Sequence, residues 1–145
     1  MLPLAHVATA ILLGRAARAP TGFAVLGSLA PDLVDKPPAW VMKLTPSGRY
    51  LGHSLPSCLV LSMAAAAVFG RRAGVGFGLG YLSHLVGDAE GAVPWLMPLV
   101  PYDLPQDRRF PVKLSRSLLL REALGLTLIV LFVRGRGRNR APTPS

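Results

Sequence analysis

The sequence predicts an all-α fold, a membrane-associated antiparallel bundle of about four to five helices with two long loops. Apolar residues make up 51% of the 145 residues and charged residues only 16%, a more apolar composition than that of a typical soluble domain. β-branched residues are sparse and strict alternation of apolar and polar residues is rare, which argues against a sheet. The length fits a single domain, which we expect to cover residues 1–133.

The first two helices are predicted at about residues 3–17 and 22–29. We expect Pro31 to stop the second helix, because a proline inside a helix removes a hydrogen-bond donor and clashes with the preceding turn. The first long loop then lies between Asp35 and Gly52, with a short helix expected at residues 40–43. Loops of this length in a compact domain usually carry function.

The third helix is predicted at residues 54–69, with Ser54 as its N-cap, and the fourth at residues 73–87. Five prolines between Gly91 and Pro111 predict the second long loop. The last helix is predicted at residues 114–133, followed by a disordered basic tail at residues 134–145. The glycines at alternate positions from 74 to 80 are expected to let neighbouring helices approach closely.

The formal net charge of +9 comes from 16 basic against 7 acidic residues, a balance that first suggests a nucleic-acid partner. The arginines lie instead in turns between apolar segments and in the tail, which disfavours nucleic acid and favours membrane lipid as a partner. They include Arg15, Arg18, Arg71, Arg72 and Arg134.

The positive-inside rule predicts a cell-membrane protein, multi-pass or deeply embedded, with its basic C-terminal tail in the cytoplasm. A spanning helix needs about 20 residues, and the predicted segments are shorter than this or only marginal. We therefore expect a thin, tilted or partly inserted bundle.

Histidines and aspartates recur at one end of each of the first four helical segments. In an antiparallel bundle these ends meet at one face, opposite the arginines. Such polar groups among apolar helices are costly unless they bind something. The residues are His6, Asp32, Asp35, His53, His84 and Asp88.

The sharpest local signal is the pair His84 and Asp88, whose i, i+4 spacing puts both side chains on one helix face at about 5–6 Å. The pair could share a metal ion or form a hydrogen-bonded helix end. Asp32 and Asp35 could likewise be turn residues or ligands for a cation such as Zn²⁺ or Mn²⁺. Asp35 could instead pair with Lys36 or Arg49.

Other catalytic patterns are missing from the sequence. It contains no G-x-S-x-G elbow, no H-E-x-x-H motif and no nucleotide-binding loop. The single cysteine, Cys58, excludes a zinc site made of several thiolates.

The ordered set HVATAILLG, GSLAPDLVDKP, GRYLGHSL and GYLSHLVGD, followed by a Pro-rich segment, closely resembles the YdjM-type, LexA-regulated, membrane-bound metal-dependent hydrolases. The resemblance covers roughly residues 6–111. Gly52 stands where a threonine is usual in that family. The resemblance carries over the metal ligands His6, Asp32, His53, His84 and Asp88, with Asp35 beside them.

The family is in turn distantly similar to the helical zinc phospholipase C and P1 nuclease group. That similarity implies one zinc at Asp32, His53, His84 and Asp88, and a neighbouring metal at His6 with Asp88 bridging. It implies one or two ions, with Zn²⁺ as the favoured cofactor and Mn²⁺ as an alternative.

We therefore predict a membrane-bound metal-dependent hydrolase that acts on a phosphoester or a lipid-like substrate. Asp35 would be a bridging ligand, an orienting residue or a base, and Arg49 would stabilise phosphate charge. The alternative is a non-enzymatic membrane protein whose polar cluster is a structural metal site or an ion path. A third hypothesis, a regulatory protein that binds nucleic acid through its tail, is disfavoured.

Overall fold

The computed structural model describes residues 3–89, 93–104 and 116–138, and over these ranges the chain is helical without any strand. The all-α prediction is confirmed. The five α-helices, with their bounds, are α1 Pro3–Ala16, α2 Thr21–Lys36, α3 Leu55–Phe69, α4 Arg71–Gly87 and α5 Arg116–Arg138.

The boundaries of α3 follow from local chemistry. Ser54 precedes the helix in an extended conformation, and its side chain accepts a hydrogen bond from the Ser57 backbone N–H, so the predicted N-cap is confirmed. Gly70 ends the helix at a φ of +89°, a conformation that residues with a Cβ rarely adopt. The helix α4 begins at the next residue.

The prediction that Pro31 stops the second helix was wrong. Helix α2 continues through Pro31 to Lys36 and passes into a π-helical turn, Pro37–Val41, where we had predicted a short helix at residues 40–43. Pro31 is fully buried, and Asp35 one turn later accepts three backbone N–H bonds from residues 50–53. These tertiary contacts outweigh the hydrogen bond that the proline removes.

The last helix also differs from its prediction, because α5 extends to Arg138 and includes the first residues of the predicted disordered tail. Residues 139–145 lie outside the described residues, as do residues 90–92 and 105–115 of the second predicted loop. That helix 5 starts at residue 114 is therefore not tested, and the extent of the single domain stays a prediction.

Helices α2 and α4 cross in contact at glycines. A Cβ added to Gly80 would lie 1.8 Å from the Ala24 carbonyl oxygen, and one added to Gly27 would lie 2.0 Å from the Phe77 carbonyl oxygen. Gly74 also lies close to α3, where an added Cβ would meet the Ala66 side chain at 2.5 Å. The predicted close approach through the glycines of the fourth helix is confirmed.

Helix α5 packs against α1 and runs in the same direction. Gly125 lies against the backbone of Ala5, and the Arg15 guanidinium lies 5.1 Å from the centre of the Phe132 ring. The Glu122 carboxylate accepts hydrogen bonds from the Leu4 and Ala5 backbone N–H groups, 3.1 Å and 3.4 Å away. It thereby satisfies donors that are free at the first turn of a helix.

The bundle exposes large apolar side chains on its outer faces. On α3 these are Leu55, Leu59, Val60, Met63, Val68 and Phe69. Among the residues that the structure describes, no helix has both the length and the apolar character needed to cross a membrane.

Candidate metal centre

The structure brings all the predicted polar residues of one bundle end together. Antiparallel packing places the start of α1, the end of α2, the turn before α3 and the end of α4 side by side. The three imidazoles are buried, each with at most 2% of its surface exposed, and Asp35 and Asp88 are also buried. The His6 and His84 rings stack at 3.9 Å, and the His53 ring lies edge-on to His84 at 5.3 Å.

Four polar atoms at this point are buried and have no hydrogen-bond partner in the described part of the chain. They are His6 Nε2, Asp32 Oδ1, His53 Nε2 and His84 Nε2. Buried polar groups are nearly always hydrogen-bonded, and each exception calls for an explanation such as an ion. The four atoms come from four different elements, namely α1, α2, the turn before α3 and α4, and they converge, which a chance packing defect would not produce.

The converging atoms form two overlapping groups. One joins Asp32, His53 and His84, and the other joins His6, His84 and Asp88, with the ligand atoms of each group within 4.8 Å of one another. Asp32 Oδ1 lies 3.5 Å from His53 Nε2 and 3.6 Å from His84 Nε2. His6 Nε2 lies 3.4 Å from Asp88 Oδ1. Both groups offer the nitrogen and oxygen donors that zinc and manganese accept.

Asp35 orients His53. One carboxylate oxygen lies 2.8 Å from His53 Nδ1 and accepts the backbone N–H groups of Tyr50 and His53, while the other accepts the N–H of Gly52. A His53 Nδ1–H that donates to this carboxylate leaves Nε2 free to face the cluster. Burial lowers the pKa of His53, but the carboxylates of Asp32 and Asp35 outweigh it and raise that pKa above its ordinary value.

A backbone carbonyl fixes the orientation and the tautomer of His84. Its Nδ1 lies 2.6 Å from the Ser28 carbonyl oxygen, and because a carbonyl only accepts, Nδ1 carries the proton. Burial, assisted by the neighbouring imidazole of His6, lowers the pKa of His84 to about 4. The ring is therefore neutral at pH 7, and its Nε2 lone pair points into the cluster.

Asp88 and Asp32 are both ionised. Burial acts to raise the pKa of Asp88, but contact with His6 and the charge of Arg49 outweigh it and hold that pKa well below its usual range. Burial also acts to raise the pKa of Asp32, yet contacts with His53 and Lys36 lower it to about 2. Two carboxylates that stay charged in this setting are suited to a cation.

The cationic side chains that pair with the aspartates of the cluster differ from those expected. Arg49 donates from Nε and Nη2 to Asp88 Oδ2 at 3.1 Å and 3.0 Å, and Lys36 pairs with Asp32 at i, i+4. The alternative in which Asp35 pairs with Lys36 or Arg49 is therefore wrong. The i, i+4 spacing of Asp32 and Lys36 was a signal in the sequence that could have revealed this pair.

Sequence reasoning missed the groups that position the ligands. The Ser28 carbonyl and the Gly52 amide carry no side-chain signal, and the Tyr81 hydroxyl donates to the Gly52 carbonyl oxygen from a different helix. Gly52 itself is required by space, because an added Cβ would lie 2.9 Å from both Asp35 Oδ1 and the Pro31 carbonyl oxygen.

The comparisons with known proteins bear on this arrangement. No curated protein and no solved structure matches the chain. A family model described as YdjM inner membrane protein matches residues 1–142, which confirms the resemblance drawn from the motifs. The chain therefore belongs to the YdjM inner membrane protein family.

Proposed function

We propose that the protein is a membrane-bound metal-dependent hydrolase that acts on phosphoesters. The observation that carries the proposal is the convergence of four buried atoms, one from a carboxylate and three from imidazoles, that have no hydrogen-bond partner among the described residues. Imidazole nitrogens and ionised carboxylates together favour a divalent cation, with Zn²⁺ preferred and Mn²⁺ as the alternative.

The proposed ligands are His6, Asp32, His53, His84 and Asp88. His84 belongs to both groups of ligand atoms, so one ion or two adjacent ions could be held by the same side chains. Zn²⁺ held by these residues would lower the pKa of its bound water to about 7 and would polarise a phosphoryl oxygen.

Of the three roles predicted for Asp35, its contacts favour the orienting one. Both of its oxygens are engaged by N–H donors, which leaves little capacity to accept a proton from a substrate or to bridge ions. Arg49 is partly exposed, with its guanidinium held at the cluster by Asp88. In our proposal it offers its remaining N–H groups to a phosphate oxygen.

A structural metal site is the alternative that one observation favours. The four unpartnered atoms are all buried, as expected of a closed coordination shell that holds helices together. A hydrolase needs an open position beside a cavity. In support of the hydrolase, His6 also lines a groove between α1 and α4.

The proposed membrane placement is deep embedding, with the C-terminal end cytoplasmic. Arg15 at the end of α1, Arg71 at the start of α4 and the last turns of α5 lie at the bundle end opposite the candidate centre. The positive-inside rule places such an end on the cytoplasmic side.

The test compares hydrolysis of bis-p-nitrophenyl phosphate by purified protein, by protein stripped of metal and by stripped protein to which zinc is restored. We expect activity to vanish on stripping and to return with zinc. Arg49→Gln should keep its metal but lose activity at least about tenfold, whereas Asp103→Asn, a change at an exposed loop carboxylate, should match the wild type.

Bound metal whose removal unfolds the protein, without hydrolysis in any state, would support the structural site. Absence of metal from the wild-type protein would contradict both the metal-dependent hydrolase and the structural metal site.

A further inference from the structure

A groove of about 400 Å³ runs between α1 and α4. Its volume lies within the range of about 300–1,000 Å³ that is usual for small-molecule sites. Among the described residues the lining is almost wholly apolar, and His6 is the single ionisable residue in it. The lining includes His6, Thr9 and Leu13 of α1 and Leu79, Leu82 and Val86 of α4.

The groove and the candidate metal centre share His6. The ring of His6 lines the groove, while its Nε2 is one of the four unpartnered atoms and lies 3.4 Å from Asp88 Oδ1. A molecule lying in the groove with one end at His6 would therefore place that end beside the ligand atoms.

The other side of the groove opens onto apolar surface. Leu13, Leu82 and Val86 are 37%, 40% and 66% exposed. The chain belongs to a family of inner membrane proteins, so apolar side chains exposed in this way are suited to contact lipid. The groove thus connects the lipid phase to a charged centre, with Arg49 beside it on Asp88.

We infer that this groove holds the alkyl chain of a membrane lipid phosphoester, whose phosphate group lies at the metal centre. The inference rests on the proposed function and names its substrate class. The groove can bury an alkyl chain, which needs no polar partner. Among the described residues, the cationic groups that a phosphate requires lie at the His6 end of the groove. A soluble phosphoester would leave the apolar lining without a role.

The experiment measures binding rather than turnover. Zinc-loaded protein in lipid nanodiscs is titrated with butylphosphonate and octylphosphonate, which share a head group, resist hydrolysis and differ by four methylenes. Each buried methylene contributes about fourfold in affinity. We expect octylphosphonate to bind on the order of a hundredfold more tightly, after subtraction of its partition into empty nanodiscs.

Leu82→Trp fills the groove, and Leu59→Trp is its matched control, since Leu59 is an exposed leucine of α3 outside the groove. We expect Leu82→Trp to abolish the octyl preference while leaving butylphosphonate affinity unchanged, and Leu59→Trp to retain both. Leu13→Trp, on the opposite wall, gives an independent test if Leu82→Trp fails to fold.

Three results would overturn the inference: no chain-length preference in the wild type, an unchanged preference in both groove variants, or no binding of either phosphonate. If Leu82→Trp changes only the oligomeric state of the protein, the groove would instead be identified as a contact between protein chains. A chain-length preference that Leu82→Trp abolishes, with no hydrolysis of any phosphoester, would refute the proposed function and leave the lipid site standing.

Discussion

Replacing Asp35 with asparagine should destabilise the protein and weaken metal binding together. Asp35 accepts four N–H groups, from Tyr50, Gly52 and His53. The amide of asparagine keeps one oxygen, which can replace the carboxylate oxygen that faces Tyr50 and His53. Its NH₂ group then faces the Gly52 N–H, which loses its acceptor.

The magnitude follows from these contacts. A buried donor left without an acceptor costs about 1–3 kcal/mol. The other three bonds lose their ionic character, which accounts for about half of their strength, or roughly 1 kcal/mol each. With partial relaxation we expect Asp35→Asn to lower the free energy of unfolding by about 3–5 kcal/mol. We expect zinc affinity to fall about 10–100-fold, as for other partners that orient a metal-binding histidine.

The assay is equilibrium unfolding in urea, followed by circular dichroism in one detergent, together with zinc titration of each variant. Asp103→Asn is the control, because the exposed carboxylate of Asp103 should change stability by no more than about 0.5 kcal/mol. If Asp35→Asn has the same stability and the same zinc affinity as the wild type, then Asp35 does not orient His53. A loss of stability with unchanged zinc affinity would make Asp35 structural only.

Three further predictions follow from other contacts. Gly80→Ala places a Cβ 1.8 Å from the Ala24 carbonyl oxygen and should lower the free energy of unfolding by about 1–3 kcal/mol. The control Gly22→Ala, where nothing lies within 4 Å of the added Cβ, should not destabilise the protein. Equal melting temperatures of the two variants would contradict the α2–α4 packing. Glu122→Gln keeps the shape of the side chain but removes its negative charge at the start of α1, and it should lower the free energy of unfolding by about 0.5–1 kcal/mol. The same unfolding assay measures this. An unchanged free energy of unfolding would show that the charge does not stabilise α1. Zinc must displace the proton from His53, whose pKa is raised, but none from His84, whose pKa is about 4. Zinc affinity should therefore rise with pH until His53 has lost its proton and then level off, and binding should release at most one proton per chain from these two residues. Calorimetry in buffers of different ionisation enthalpy measures this, and proton uptake would contradict it.

Much of the fold was predictable because local signals and global packing agree. Ser54 and Gly70 delimit α3 through capping and backbone conformation, and both act within one or two residues. The convergence of His6, His53 and His84 followed from their positions at alternate helix ends, since antiparallel packing alone brings those ends together. The glycines of α4 indicated a close helix crossing, although not which carbonyl each would meet.

The rest depended on contacts between residues distant in sequence. Pro31 reads as a helix stop until its burial and the amides around Asp35 are known. The roles of Arg49 and Asp35 could not be assigned from spacing, because Arg49 pairs with a carboxylate 39 positions away. The tautomer of His84 depends on the Ser28 carbonyl, a backbone group that is chemically the same in every residue.

The most direct test of the central claim is the metal content of purified protein measured beside His84→Ala and Asp103→Asn. His84 contributes to both groups of ligand atoms, so its loss should disrupt either arrangement. We expect one or two equivalents of a divalent metal in the wild type and in Asp103→Asn, and a small fraction of that in folded His84→Ala. Equal metal content in all three proteins, or none in the wild type, would contradict the central claim.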